Sequence, residues 1–174
     1  MKRNIFIIII IFVLAGIALY TNVIDKSSTN VTRPEVGFKA PEIELTSLDN
    51  QKYKISKINK PIVLNFWASW CGPCKIEAPS LVKMHQKYKD RVEFLAVNLT
   101  ANDQLDNVKG FVEQYQFSLP VLLDQDGKVA DQYQVRAIPT TFLIDKDKHI
   151  VKVVKGLHKE EDFEQMIQEL LSGK

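Results

Sequence analysis

PIVLNFWASWCGPCKIEAP, residues 61–79, decides how this chain folds. Its opening, Pro61 to Trp67, is a run of β-formers that is apolar on both faces, which predicts a central strand covered on both sides. Downstream, Ala78, Leu81, Val82, His85 and Tyr88 recur at helical spacing. Between strand and helix stand Cys71 and Cys74, the only two cysteines in 174 residues. A bridge between them would close a very short loop and restrict the unfolded chain little, so it would be a poor staple. Two cysteines are also too few for a disulfide scaffold of the small secreted type. Redox chemistry and metal binding remain.

Working outward, the remaining elements alternate. Glu42 to Thr46 and Tyr53 to Ile55 predict a short hairpin around Asp49-Asn50. Val92 to Leu99 predicts a second buried strand. Asp103 to Tyr115 predicts a helix with Leu105, Val108, Phe111 and Val112 on one face. Pro120 to Leu123 reads as a short strand closed by Asp126-Gly127, and Val129 to Tyr133 as a short helix. Thr140 to Ile144 and Ile150 to Val154 form a hairpin across Lys146-Asp147-Lys148, and Phe163, Ile167 and Leu170 mark a last amphipathic helix. Strands alternating with helices predict an α/β fold, a mixed central sheet with flanking helices.

The N-terminus is built differently. After Lys2 and Arg3, Asn4 to Tyr20 carries no charge, at the border between a signal-peptide core and a spanning helix. No small-residue cleavage site follows, and Ile17 stands where a lipoprotein box would need cysteine. Residues 1–20 are therefore expected to be an uncleaved signal anchor, with a cleaved signal peptide as the alternative. Lys2 and Arg3 would keep the N-terminus inside and send the body across the membrane behind a single-pass anchor. Residues 21–36, rich in Ser, Thr, Asn and charge, are expected to be a tether, and residues 37–174 the folded domain. The charge balance, 23 basic against 21 acidic residues, and the absence of a long basic block give no sign of a nucleic-acid partner.

The position of the cysteines supplies chemistry. Cys71 follows a strand and opens a helix, where free N–H groups and the positive dipole end favour a thiolate. Pro73 is tolerated in that first turn because its missing N–H would have had no partner. Cys74 lies one turn deeper. Cys71, expected to be the exposed sulfur, would attack a partner's disulfide, and Cys74 would resolve the mixed disulfide and leave an internal bridge.

WCGPCK after a buried strand, with IPTTFLID (138–145) downstream, resembles the thioredoxin superfamily over roughly residues 37–172. The apolar N-terminus and the stretch from Asn98 to Gln134, which matches an inserted strand–helix unit, resemble the TlpA/ResA-like membrane-anchored thiol–disulfide oxidoreductases in particular. The resemblance implies a thioredoxin-like fold with an N-terminal hairpin and a central strand–helix insertion. It implies no cofactor beyond a redox-active Cys71–Cys74 disulfide. It makes Pro139 a cis-proline beside the sulfurs and offers the Ile138 backbone to an extended partner peptide. Trp70, Gly72 and Pro73 complete the implied partner-binding rim, Pro79 the proline inside the active-site helix, and Trp67 the core beneath. One departure is informative: thioredoxin has a buried Asp in the strand before the motif, and Asn65, which cannot titrate, stands here. Glu77, three residues after Cys74 on the same helix face, is the substitute that ResA-like proteins use. It is expected to be partly buried, where loss of water favours the protonated form, and to serve Cys74 as acid and base.

The implied partners are disulfide-bearing exported proteins, such as apocytochrome c or envelope and spore-assembly factors, and a membrane electron donor. The reducing direction follows from the likeness of CGPC to reducing thioredoxins, and a disulfide-forming oxidant is the alternative. Copper delivery would use the same thiolates, but His85, His149 and His158 lack ligand spacing to them, so no metal site is expected. A peroxidase would need a Pro/Thr/Arg pocket around its cysteine, and none accompanies CGPC.

Overall fold

The computed structural model describes residues 12–17, 19 and 32–173. The chain divides into two units, Met1–Thr32 and Arg33–Lys174. In the first, residues 12–17 and 19 are helical; residues 1–11, 18 and 20 of the expected anchor, and residues 21–31 of the expected tether, lie outside the described residues. Among the described residues no helix is long and apolar enough to cross a membrane.

In the second unit the six residues of β3, Ile62–Trp67, are all buried. Successive side chains of a strand point to opposite faces, and the cores follow that rule. Val63 and Trp67 join one apolar cluster, while Ile62, Leu64 and Phe66 join the other. β3 runs parallel to β4 (Glu93–Asn98) and antiparallel to β6 (Thr140–Ile144). β5 (Val121–Leu123) and β7 (Ile150–Lys155) complete the order β5-β4-β3-β6-β7. β1 (Glu44–Thr46) and β2 (Lys52–Lys54) form a separate antiparallel hairpin, turned by Asn50 at φ 65°.

One face of the sheet packs the first cluster, with Ala78, Leu81 and Met84 of α1 (Gly72–Tyr88), Val108 and Phe111 of α2 (Leu105–Gln114), and Phe163, Ile167 and Leu170 of α4 (Glu160–Ser172). The other face packs Ile43, Ile55, and Val129 of α3 (Lys128–Gln132) with Tyr133. Gly127, at φ 71°, supplies the left-handed turn that starts α3. The mixed sheet with helices on both faces is the architecture that the sequence patterning predicts.

α2 differs from expectation. A 3-10 turn, Thr100–Asn102, precedes it, and its first residue, Leu105, is 40% exposed. The buried stripe consists of Val108 and Phe111, and Leu105 stays outside the apolar cluster that they join. His85, one of the residues at apolar helical spacing, is half-buried: its ring meets Phe94 edge-on and its Nδ1 lies 3.1 Å from Ser118 Oγ.

Candidate active site

β3 ends at Trp67, and the chain turns through Ser69 and Trp70 into α1. Cys71 caps that helix in an extended conformation, and the Cys74 N–H donates to its sulfur at 3.1 Å. The first N–H groups of a helix have no partner within it, and the peptide dipoles put positive charge there. A reduced sulfur in this position is favoured as thiolate. Cys71 and Cys74 are joined by a disulfide, their Cα atoms 5.3 Å apart. Pro79 lies further along the same helix.

The outer sulfur is not exposed in this bridged form, contrary to the expectation for Cys71. Cys71 retains 4% of its surface and Cys74 3%. The reason is the loop before β6: the carbonyl oxygen of Ile138 lies 3.7 Å from Cys71 Sγ. The Ile138–Pro139 peptide is cis, and the Pro139 carbonyl accepts from the Gly156 N–H at 2.7 Å, which ties this loop to the end of β7. Around the sulfurs, Gly72 and Pro73 are exposed, Ile138 is half-buried and Pro139 buried. Trp70 and Ile76 expose 57% and 66% of their surfaces, leaving apolar area on the rim.

A second contact fixes the turn from the side. Asp103 accepts from the Ser69 N–H at 2.6 Å, the Ser69 hydroxyl at 2.5 Å and the Asn98 amide at 2.9 Å. Trp70 Nε1 donates to the Asn102 carbonyl at 2.9 Å. The segment between β4 and α2 therefore holds both residues that precede Cys71. A cleft of about 390 Å³ opens beside it, lined by Trp70, Lys75, Asp106 and Phe111 among others. Sequence reasoning missed Asp103; a carboxylate just ahead of a helix start was its one visible signal.

Beneath the disulfide the environment is polar and closed. Glu77 is 3% exposed, more deeply buried than expected, and its Oε2 accepts from the Asn65 amide at 2.9 Å. The same amide donates to Thr141 Oγ1 at 2.9 Å. Asn65, noted only as a departure, is thus what holds Glu77 against β3. Trp67 packs as core against Phe111, with ring centroids 4.4 Å apart. His158 Nε2 stands 3.0 Å from Glu77 Oε1. Nothing local in the sequence links His158 to the cysteines, because β7 and the turn after it carry it there.

Residues 36–153 match the model of the AhpC/TSA family. The thiol–disulfide oxidoreductase ResA of Bacillus thuringiensis subsp. konkukian is 34% identical over 98% of this chain and 99% of its own length. Among solved structures, StoA of Bacillus subtilis superposes with a TM-score of 0.66 at 26% identity, covering 73% of this chain and 96% of StoA. The exposed lipoprotein thioredoxin of Streptococcus pneumoniae superposes with a TM-score of 0.67 at 30% identity, covering 75% of this chain and all (100%) of that one.

Proposed function

The chain belongs to the AhpC/TSA thioredoxin-like family and is a thiol–disulfide oxidoreductase, and on that premise we propose that it reduces disulfides in exported proteins from the outer side of a bacterial membrane. The observation that carries the reading is Cys71 at the N-terminus of α1, its sulfur receiving the Cys74 N–H and facing the Ile138 carbonyl. In the reduced protein Cys71 attacks a sulfur of the partner's disulfide as thiolate. The partner's S–S bond breaks, one partner sulfur leaves with the electron pair, and a mixed disulfide with Cys71 forms. Cys74 then attacks Cys71, the partner's second thiol departs reduced, and the internal bridge remains. A membrane electron donor returns two electrons and the cycle restarts.

The partner lies along Ile138 and Pro139 by strand addition, with Trp70, Gly72 and Pro73 forming the rest of its contact. Glu77 takes the proton of Cys74 and gives it back. Apocytochrome c and envelope or spore-assembly factors are the proposed substrates. The charge-free run from Asn4 to Tyr20 supports a membrane anchor, as does the description of the pneumococcal neighbour as an exposed lipoprotein.

Trapping tests the reading. The full chain carrying Cys74→Ser should accumulate exported proteins linked to Cys71 and release them on added dithiol. Recovery of no adduct, or of adducts only with cytosolic proteins, defeats it. Equilibration with glutathione sets the direction: a potential near about −270 mV marks a reductant, one near about −120 mV an oxidant.

A further inference from the structure

His158 lies in the turn that follows β7, outside every motif that describes the cysteines. Its side chain keeps 6% of its surface, and its ring stacks on Phe163 with centroids 4.5 Å apart and planes 23° from parallel. Its Nε2 is 3.0 Å from Glu77 Oε1, although the ring N–H is not aimed for a hydrogen bond. Among the described residues five buried side-chain polar atoms lack a hydrogen-bond partner, and three of the five belong to this pair: Glu77 Oε1, His158 Nδ1 and His158 Nε2. A fourth, Ser80 Oγ, follows Glu77 by one turn of α1.

A buried carboxylate is costly unless it is paired or neutralised. The neighbours that contact Glu77 from the sheet, Asn65 directly and Thr141 through it, are uncharged. From α1 the titratable neighbour is Cys74. At the start of α4, Glu160 is engaged by Lys83 of α1 in an ion pair of its own. The group left to exchange a proton with Glu77 is His158. We propose that His158 and Glu77 form a buried acid–base couple that carries the proton of Cys74, with His158 a positioning residue that acts through Glu77. This deepens the function proposed above and rests on it.

The step balances as follows. Cys74 attacks Cys71 in the mixed disulfide, the Cys71–Cys74 bond forms, and the bond from Cys71 to the partner's sulfur breaks with its electron pair going to that sulfur. The Cys74 proton passes to Glu77. The couple, which held one proton, then holds two and passes one out through the imidazole, while water protonates the leaving thiolate. When the bridge is reduced, a proton returns to Cys74 by the same route.

His158→Phe keeps the stack on Phe163 and removes both nitrogens; His158→Gln keeps a neutral hydrogen-bonding group that does not titrate. The probe is a disulfide-linked peptide, and the readout is release of its second thiol by the full chain from about pH 5 to pH 8. Wild type should show an ionisation that both variants lack, with release about tenfold slower at pH 7. In a Glu77→Gln background, His158→Phe should have no further effect. Profiles of either variant that superimpose on wild type, or effects of the two sites that simply add, overturn the proposal. Either result leaves the oxidoreductase reading in place as long as wild type still exchanges. His158→Gln gives the answer where His158→Phe does not fold.

Discussion

The two sides of the Cys71–Cys74 bridge are built from opposite materials. On the outside, Trp70, Gly72, Pro73 and Ile76 are exposed and largely apolar. On the inside, Asn65, Glu77 and Thr141 are buried and polar, joined by hydrogen bonds through the Asn65 amide. Exposed apolar surface favours docking another molecule and leaves folding nearly unaffected. Buried polar groups strengthen one another electrostatically where water is excluded, and each carries a penalty if it loses its partner. Recognition and proton handling can therefore be altered separately, although they serve sulfurs on adjacent turns of one helix.

The sharpest test of that separation is on the inner side. Glu77→Gln keeps the shape of the buried group and abolishes its titration. Release of the bound partner is expected to slow about 100-fold, with capture by Cys71 unchanged, as quenched-flow separation of the two thiol-release phases would show. Equal slowing of both phases would break the division. A smaller effect is expected at the wall that holds the turn. Asp103→Ala leaves the Ser69 N–H and the Asn98 amide without their acceptor, a loss of about 1–3 kcal/mol in urea unfolding.

The sequence made much of this legible. The strands stand out as apolar runs, and α1 and α4 by their helical spacing, because burial on one or both faces leaves a local imprint. The CGPC turn was legible because a helix start and its cap are local too. What escaped depends on distant segments meeting. Leu105 matches the apolar period of α2 yet stays outside the core. Cys71 reads as exposed until Ile138 is folded over it. Asn65 registered as a missing carboxylate, although its amide is the donor that fixes Glu77. His158 has no local signature at all, since only the path of β7 brings it under α1.

On the outer side the expected effect is smaller still. Trp70→Ala should change stability by less than about 0.5 kcal/mol and weaken partner capture about tenfold, the scale of an exposed aromatic contact. Its Nε1 bond to Asn102 is the one tie to the wall that this variant removes. A large loss of stability would show that the rim is structural.

The smallest effect comes from Glu93, at the start of β4, and serves as a control for pH dependence away from the site. Burial pushes its carboxyl above the ordinary carboxylate range, against the opposing pull of Lys60. The folded chain thus holds this proton more tightly than the unfolded chain. The stability it contributes is full below the unfolded value of about 4.3 and is lost as pH rises through the folded value. Glu93→Gln should flatten that decline, making the variant more stable than wild type at pH 7 and equal to it near pH 4, with exchange kinetics untouched. Unfolding midpoints at the two pH values check it.

β3 and β6 run in opposite directions, with Phe66 opposite Thr140. The end of one and the beginning of the other therefore lie side by side at the same end of the sheet. A peptide excised around CGPC would keep both sulfurs yet carry neither the Ile138 backbone nor the Asn65 amide. Exchanging the tetrapeptide between relatives should then retune the thiols and the small part of the rim that Gly72 and Pro73 supply, whereas transplanting this chain's choice of clients would require the start of β6 as well.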